Sequence, residues 1–123
     1  MSKHKGDLLR MMAKAETIKQ AELARKLRQV QDETDRIAAQ AGSLERLLDE
    51  HRIATPNSQT TAQLANTLRV GQQLESHRRS LSMQMKQSEH RLNRARTALA
   101  QSGHKLEILT DKARIADQQT ENE

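Results

Sequence analysis

The side chains that most often carry chemistry in proteins are widely spaced in this sequence. None of the five histidines stands in an H-x-x-x-H or E-x-x-H arrangement, which would place two metal ligands on one helical face. The histidines are His4, His51, His77, His90 and His104. The chain has no cysteine, which excludes disulfides and thiolate metal sites. The sequence therefore predicts no metal site, and His51, which falls in the apolar pattern described below, is expected to be half-buried and neutral.

Nucleotide and nucleophile chemistry have no recognisable motif either. The four glycines are isolated from one another, so no Gly-rich phosphate loop is present. Serines are plentiful, but a thin helical protein offers no concave pocket in which a base could be held beside one. We therefore expect no catalytic or cofactor-binding residue and no small-molecule substrate. The chain is expected to be a non-enzyme that binds other macromolecules.

The composition favours helices over a rounded core. In 123 residues there is no Phe, Tyr or Trp, with only four Gly and one Pro. Aromatic side chains normally supply the largest parts of a compact interior. The remaining sequence is rich in Leu, Ala, Gln, Arg, Lys and Glu, which are good helix formers. Such a composition is typical of a coiled coil, and the regular spacing of the apolar residues argues against disorder of the whole chain.

Apolar residues of the first half alternate steps of three and four. They define a heptad pattern with Leu23, Val30, Ile37 and Leu44 at d and with Leu27, Thr34, Ala41 and Leu48 at a. Towards the N-terminus we take the pattern to continue through Leu8, Met12, Ala15 and Lys19. The additional four-residue steps there predict a stutter in the supercoil.

The second half follows the same rule without a slip. Its predicted seam consists of Leu64, Thr67, Gly71, Leu74, Arg78, Leu81, Met85, Ser88, Leu92, Ala95, Leu99, Ser102, Leu106, Leu109, Ala113 and Ala116. Gly103 falls inside this pattern, and the unbroken register predicts that the helix continues through it.

One strong break separates the two patterns. Pro56 disfavours helical geometry at Thr55, and Thr55, Asn57, Ser58 and Thr60 offer side-chain oxygens that can cap a new helix. The sequence thus predicts an all-α fold, a long antiparallel two-helix coiled-coil hairpin that forms a single domain of residues 1–123. Helix 1 is expected at about 5–52, the turn at about 53–60, helix 2 at about 61–117 and a frayed acidic tail at 118–123.

Charge is distributed unevenly along the chain. Residues 3–28 carry eight basic and three acidic side chains, whereas residues 29–51 carry two basic and six acidic ones. In the predicted hairpin, residues 85–110 lie beside residues 3–28 and add further positive charge. We therefore expect a basic half near the termini, of about +8, which favours an acidic partner surface, and a nearly neutral half near the turn.

Four apolar residues outside the seam cluster towards the turn. They are Leu47, Ile53, Leu68 and Val70. Together they predict a second, apolar docking surface at the tip of the hairpin.

The N-terminal run MSKHKGDLLR has no apolar segment of a secretory signal, and no stretch of the chain approaches the roughly 18 apolar residues that a membrane span needs. From this we expect a cytoplasmic protein.

In its architecture the chain resembles the flagellar FliJ proteins and their type III secretion counterparts. The resemblance is carried by the run LLRMMAKAETIKQAELARKLRQVQDE at 8–33, the break TPNSQTT at 55–61, and the seams of LANTLRVGQQLESHRRSL at 64–81 and KLEILTDKARIA at 105–116. Members of that family are helical hairpins with both termini at one pole.

The resemblance implies a stalk role in flagellum biogenesis and type III protein export. Family members insert their terminal pole into a hexameric export ATPase and contact the membrane export gate. By analogy, the ATPase ring would be faced by Lys14, Lys19, Arg25, Arg91 and Arg94. The export gate would be faced by the tip residues Leu64, Leu68 and Val70. The location implied is the cytoplasm, at the cytoplasmic face of the inner membrane.

Two other interpretations stay open. The same faces would suit a generic coiled-coil adaptor or an export chaperone that binds a secreted subunit. A nucleic-acid-binding hairpin is disfavoured, because the chain lacks aromatic stacking groups and a recognised binding fold.

Overall fold

The computed structural model describes residues 2–54 and 60–122, with side chains from 3–52 and 60–122. Two helices form the fold, α1 at Ser2–Ala54 and α2 at Thr61–Glu121, with no strand among the described residues. They pack against each other in antiparallel orientation, which confirms the predicted all-α helical hairpin. Thr55, Pro56, Asn57 and Ser58, to which we assigned the break and three of the caps, lie outside the described residues.

The start of α2 is defined by the fourth predicted cap. The backbone N–H of Gln63 donates to Thr60 Oγ1 at 3.2 Å, and the backbone N–H of Thr60 donates to Gln63 Oε1 at 3.0 Å. This reciprocal arrangement is a capping box, which satisfies two backbone donors at the helix N-terminus. The predicted start of helix 2 at 61 and the cap at Thr60 are therefore confirmed.

The other helix ends differ from the prediction. α1 begins at Ser2 and ends at Ala54, whereas we expected about 5–52. α2 continues to Glu121, so the expected end at 117 is wrong, and residues 118–121 of the acidic tail are helical. The reason lies in packing: Ala116 is buried, and Thr120, the next seam position, is half-buried and donates its hydroxyl to the Ala116 carbonyl at 3.0 Å.

The hairpin divides into two compact units. The terminal unit comprises Met1–Val30 and Leu92–Glu123, and the central unit comprises Gln31–Arg91. In each unit a segment of α1 packs against a segment of α2. Neither helix holds, within the described ranges, a stretch long and apolar enough to cross a membrane.

The core of the central unit follows the predicted heptads. Its buried apolar residues are Ile37, Leu44, Leu48 and Leu81, with Leu74 and Met85 packed against them. Two predicted seam positions are wrong, because Leu64 is 48% exposed and Arg78 is exposed. Arg78 instead pairs with Glu75 one turn earlier on α2. Leu64 lies in the first turn of α2, at the edge of the described interface.

The terminal unit corrects the predicted stutter. Leu8 and Met12 are 58% and 44% exposed, and Ala15 and Lys19 are also exposed. The seam instead contains Gly6, Leu9, Ala13, Glu16 and Gln20 before it reaches Leu23 and Leu27. These positions follow one another at alternating steps of three and four residues, so the heptad pattern contains no stutter here.

The polar residues of this seam are accommodated by α2, where Glu16 has a hydrogen-bond partner and Gln20 lies against a glycine. The Ser102 hydroxyl donates to Glu16 Oε1 at 2.7 Å, and the Gln20 amide nitrogen lies 3.6 Å from the place where a Cβ would stand on Gly103. Gly103 lies within α2, as predicted. At Gly6 a Cβ would lie 2.8 Å from Asp117 Oδ1, so a larger residue there would require the Asp117 carboxylate to shift.

The register of the two helices also differs from the prediction. Contacts of Gly6 with Asp117, Glu16 with Ser102 and Gln20 with Gly103 place residues 3–28 beside the α2 segment that begins near Arg94. The expected pairing of residues 3–28 with residues 85–110 is wrong by about nine residues. The prediction counted from a fold-back point at Pro56, whereas the register depends on matching polar and small side chains across the interface.

Candidate interaction surfaces

All of the formal net charge belongs to the terminal unit. Its two segments contain thirteen Lys and Arg against eight Asp and Glu, a balance of +5. The central unit contains eight of each, a balance of zero. The basic unit therefore includes both chain ends, but its charge is smaller than the +8 predicted. Its α2 segment lacks Lys86 and Arg91 and extends to the acidic C-terminal residues Glu121 and Glu123.

Four of the five basic residues singled out from the sequence lie in the terminal unit. Lys14, Lys19, Arg25 and Arg94 are exposed. Within residues 3–52 and 60–122, no carboxylate forms an ion pair with Lys14, Arg25 or Arg94. Their cationic groups are accessible to a partner.

The fifth residue, Arg91, does not belong with these four. It lies in the central unit, where its Nη2 donates to Glu33 Oε1 across the helix interface at 2.8 Å. The structure thus corrects its placement in the basic terminal half.

A charged groove runs along one edge of the terminal unit. It is lined by Arg10, Lys14 and Arg114 together with Asp117 and Glu121. Arg10 Nη1 donates to both carboxylate oxygens of Asp117 at 2.7 Å, and Arg10 also pairs with Asp7. The hydrogen bonds that Arg10 donates to Asp117 and Asp7 raise the pKa of Arg10 further above its ordinary value. The cations of this edge are therefore partly neutralised within the unit.

The seam of the terminal unit holds an ionised carboxylate. Glu16 is 5% exposed and Ser102 is 4% exposed. Lys105 Nζ lies 3.5 Å from Glu16 Oε2. The hydrogen bond from Ser102 is the main cause that lowers the pKa of Glu16, while desolvation opposes it and the charges of Lys105 and Lys19 assist it. A buried polar contact of this kind favours one register over others.

The predicted apolar tip is only partly assembled. Leu64 and Leu68, which are 48% and 59% exposed, line a groove of the central unit with Leu48 and His51. Val70 is 37% exposed and is not part of this lining. Leu47 is also exposed, and the side chain of Ile53 lies outside the described residues.

His51 is half-buried, as predicted, and forms one wall of that groove. Its Nε2 lies 3.2 Å from the place where a Cβ would stand on Gly71. The absence of a side chain at Gly71 therefore lets the imidazole pack against the α2 backbone.

Sequence reasoning missed the second apolar stripe of α1. Leu8, Met11 and Ile18 are 58%, 67% and 65% exposed, and Ala15 is exposed beside them. We had assigned Leu8 and Ala15 to the seam because they are apolar, although the heptad phase counted back from Leu23 selects Gln20, Glu16 and Ala13. Carrying the phase back in this way would have identified the stripe as unpaired.

Among the described residues, no three His, Cys, Asp or Glu side chains gather closely enough to hold a metal ion. In comparisons with protein-family models, with curated proteins and with solved structures, nothing matches this chain.

Proposed function

We propose that this chain is a non-enzymatic coiled-coil stalk of a flagellar or type III protein export apparatus. In this role it couples a hexameric export ATPase to the membrane export gate, at the cytoplasmic face of the inner membrane. The proposal combines the resemblance of the sequence to the FliJ proteins with the distribution of charge in the hairpin.

The observation that carries the proposal is that both chain ends and the whole cationic excess belong to one unit. The terminal unit has a balance of +5 and the central unit has a balance of zero. Such an asymmetry favours an acidic partner at the terminal unit and a different kind of contact elsewhere. In the proposed assembly Lys14, Lys19, Arg25 and Arg94 face the ATPase ring. The exposed Leu64 and Leu68 of the central unit then contact the export gate.

The test is the effect of the purified chain on a flagellar-type export ATPase from the same organism. We expect faster ATP hydrolysis that saturates at about one chain per hexamer. A variant with Lys14→Glu, Arg25→Glu and Arg94→Glu should lose the effect, because repulsion replaces attraction at the ring. The matched control, Arg36→Glu, Arg46→Glu and Arg69→Glu, makes the same change of net charge in the central unit and should retain it.

Two results would contradict the stalk role. One is an unchanged rate of hydrolysis at every ratio of chain to ATPase. The other is an equimolar complex with a secreted subunit, which would favour an export chaperone, for which the exposed apolar stripe of α1 is also suited. Binding to nucleic acid that weakens steeply with salt would favour the third interpretation.

A further inference from the structure

The N-terminal part of α1 carries two longitudinal stripes, and α2 covers only one of them. The covered stripe contains Leu9, Ala13, Glu16 and Gln20. The uncovered one contains Leu8, Met11, Ala15 and Ile18, which follow one another at steps of three, four and three. This is the spacing of a coiled-coil seam, so the uncovered stripe has the geometry to receive a further helix.

The exposure of this stripe exceeds that of scattered surface residues. Single exposed apolar side chains are normal, but here Leu8, Met11 and Ile18 are 58%, 67% and 65% exposed on one face. Met12 adjoins the stripe and is 44% exposed. A contiguous apolar stripe of this kind marks an interaction surface.

The charged residues beside the uncovered stripe indicate which kind of helix it binds. Lys14 directly precedes Ala15 and Lys19 directly follows Ile18, so one lysine lies on each side, at positions equivalent to g and e of a coiled coil. In coiled coils the charges at these flanking positions determine which partner binds. Both lysines are exposed, and residues 3–28 as a whole carry eight basic against three acidic side chains.

We propose that the stripe of Leu8, Met11, Ala15 and Ile18, flanked by Lys14 and Lys19, docks an amphipathic helix of a partner protein whose own flanking residues are acidic. The inference rests on the proposed function in that the terminal unit is the half that binds a partner. It adds the face that is used and the chemistry of what binds there.

Two other occupants are disfavoured by the charge and the composition. A second copy of this chain would bring two terminal units of +5 against each other. A membrane surface is normally engaged with the help of Trp or Tyr at the headgroup level, and the chain contains no aromatic residue.

The test uses a labelled synthetic peptide of three heptads, about 21 residues, with Leu at both seam positions and Glu at both flanking positions. Glutamate repulsion keeps such a peptide from pairing with itself, so binding to the full-length chain is measured by fluorescence anisotropy. We expect saturable binding, and no binding of the same peptide with Lys in place of Glu.

The decisive comparison is between two pairs of substitutions. Met11→Gln with Ile18→Gln should raise the Kd by roughly tenfold or more, because two apolar contacts are lost. Leu47→Gln with Met83→Gln is the matched control, since these central-unit residues are 51% and 64% exposed. It should leave the Kd unchanged. Circular dichroism checks that both variants keep the helicity of the parent chain.

The inference is overturned if the acidic peptide does not bind, or if both pairs of substitutions weaken its binding equally. It is also overturned in favour of another occupant by either of two results. One is a dimer in sedimentation that Met11→Gln with Ile18→Gln dissolves, and the other is binding of the chain to anionic vesicles through the same residues in place of the peptide.

The peptide assay and the ATPase assay fail independently. Peptide binding without ATPase stimulation would reject the stalk function and keep the docking surface. Stimulation of the ATPase by a chain whose stripe does not bind the peptide would reject the docking surface and keep the stalk function.

Discussion

The hydroxyl oxygens of Thr34 and Ser88 lie 2.6 Å apart across the interface of the central unit. Ser88 is fully buried and Thr34 is 8% exposed. Both occupy seam positions of the central unit, Thr34 three residues before Ile37 on α1 and Ser88 three residues after Met85 on α2. Their hydrogen bond is therefore part of what holds α1 and α2 in a single register.

Removing one member of this pair should cost stability. Thr34→Val should lower the free energy of unfolding by about 1–3 kcal/mol, because Ser88 loses its partner inside the interface. Thr34→Val combined with Ser88→Ala should cost less than the sum of the single changes. Denaturant unfolding of the four chains of this double-mutant cycle gives the coupling energy. Thr97→Val, at an exposed position, is the control. An equal decrease in the free energy of unfolding there would show that the buried pair contributes no more to stability than an exposed threonine.

The register itself can be tested with a disulfide, since the chain has no cysteine of its own. Thr34→Cys with Ser88→Cys should form an intramolecular disulfide on mild oxidation, because the two side chains already meet. Thr34→Cys with Arg79→Cys represents the register that the sequence predicted and should not cross-link within the monomer. Non-reducing electrophoresis and mass spectrometry distinguish the outcomes. Cross-linked dimers of the first variant would instead indicate pairing between chains.

The fold class was predictable because it depends on features that are local in sequence. Helix-forming composition and the heptads around Ile37 and Leu44 define the helices, and Thr60 with Gln63 forms a capping box that starts α2. The register was not predictable in the same way. It depends on polar pairs such as Glu16 with Ser102, which join residues far apart in the chain.

For the candidate surfaces, too, some features were predictable from the sequence and others were not. That the terminal half is basic follows from counting charges, and of the five basic residues singled out the structure moved only Arg91 out of it. The second stripe of α1 was hidden because Leu8 and Ala15 were assigned to the seam on hydrophobicity alone. A sequence pattern with two apolar stripes does not say which one the hairpin uses; Glu16 paired with Ser102 favours the stripe that contains it.

The pair of Arg10 and Asp117 should contribute little to stability. The two side chains are 44% and 50% exposed, and solvent screens such pairs. In a cycle of Arg10→Gln and Asp117→Asn we expect only the small coupling energy that is typical of exposed ion pairs. It should fall towards zero in 1 M salt, where the Debye length is about 3 Å. A larger coupling that salt does not change would mean that the bidentate geometry carries the interaction.

Glu16 should make the stability of the terminal unit sensitive to acid. Its pKa in the folded chain is lowered below the ordinary 4.5, chiefly by the hydrogen bond from Ser102. Because the unfolded chain takes up the proton first, this contribution to stability is complete above the ordinary pKa and is lost as the pH falls through the folded value. Unfolding free energies measured from pH 6 down to pH 3 should therefore decrease.

Glu16→Gln should flatten that decrease, since an amide does not titrate. It should leave part of the slope, because the pKa of Glu75 is also lowered, mainly by its hydrogen bond with Arg78. The control is Glu22→Gln, which removes an exposed carboxylate from α1 of the same unit. If the Glu16→Gln and Glu22→Gln curves coincide, the Glu16 carboxylate is not the group that links folding to pH. Such a result would mean that Ser102 and Lys105 stabilise a neutral side chain at this position as much as a charged one.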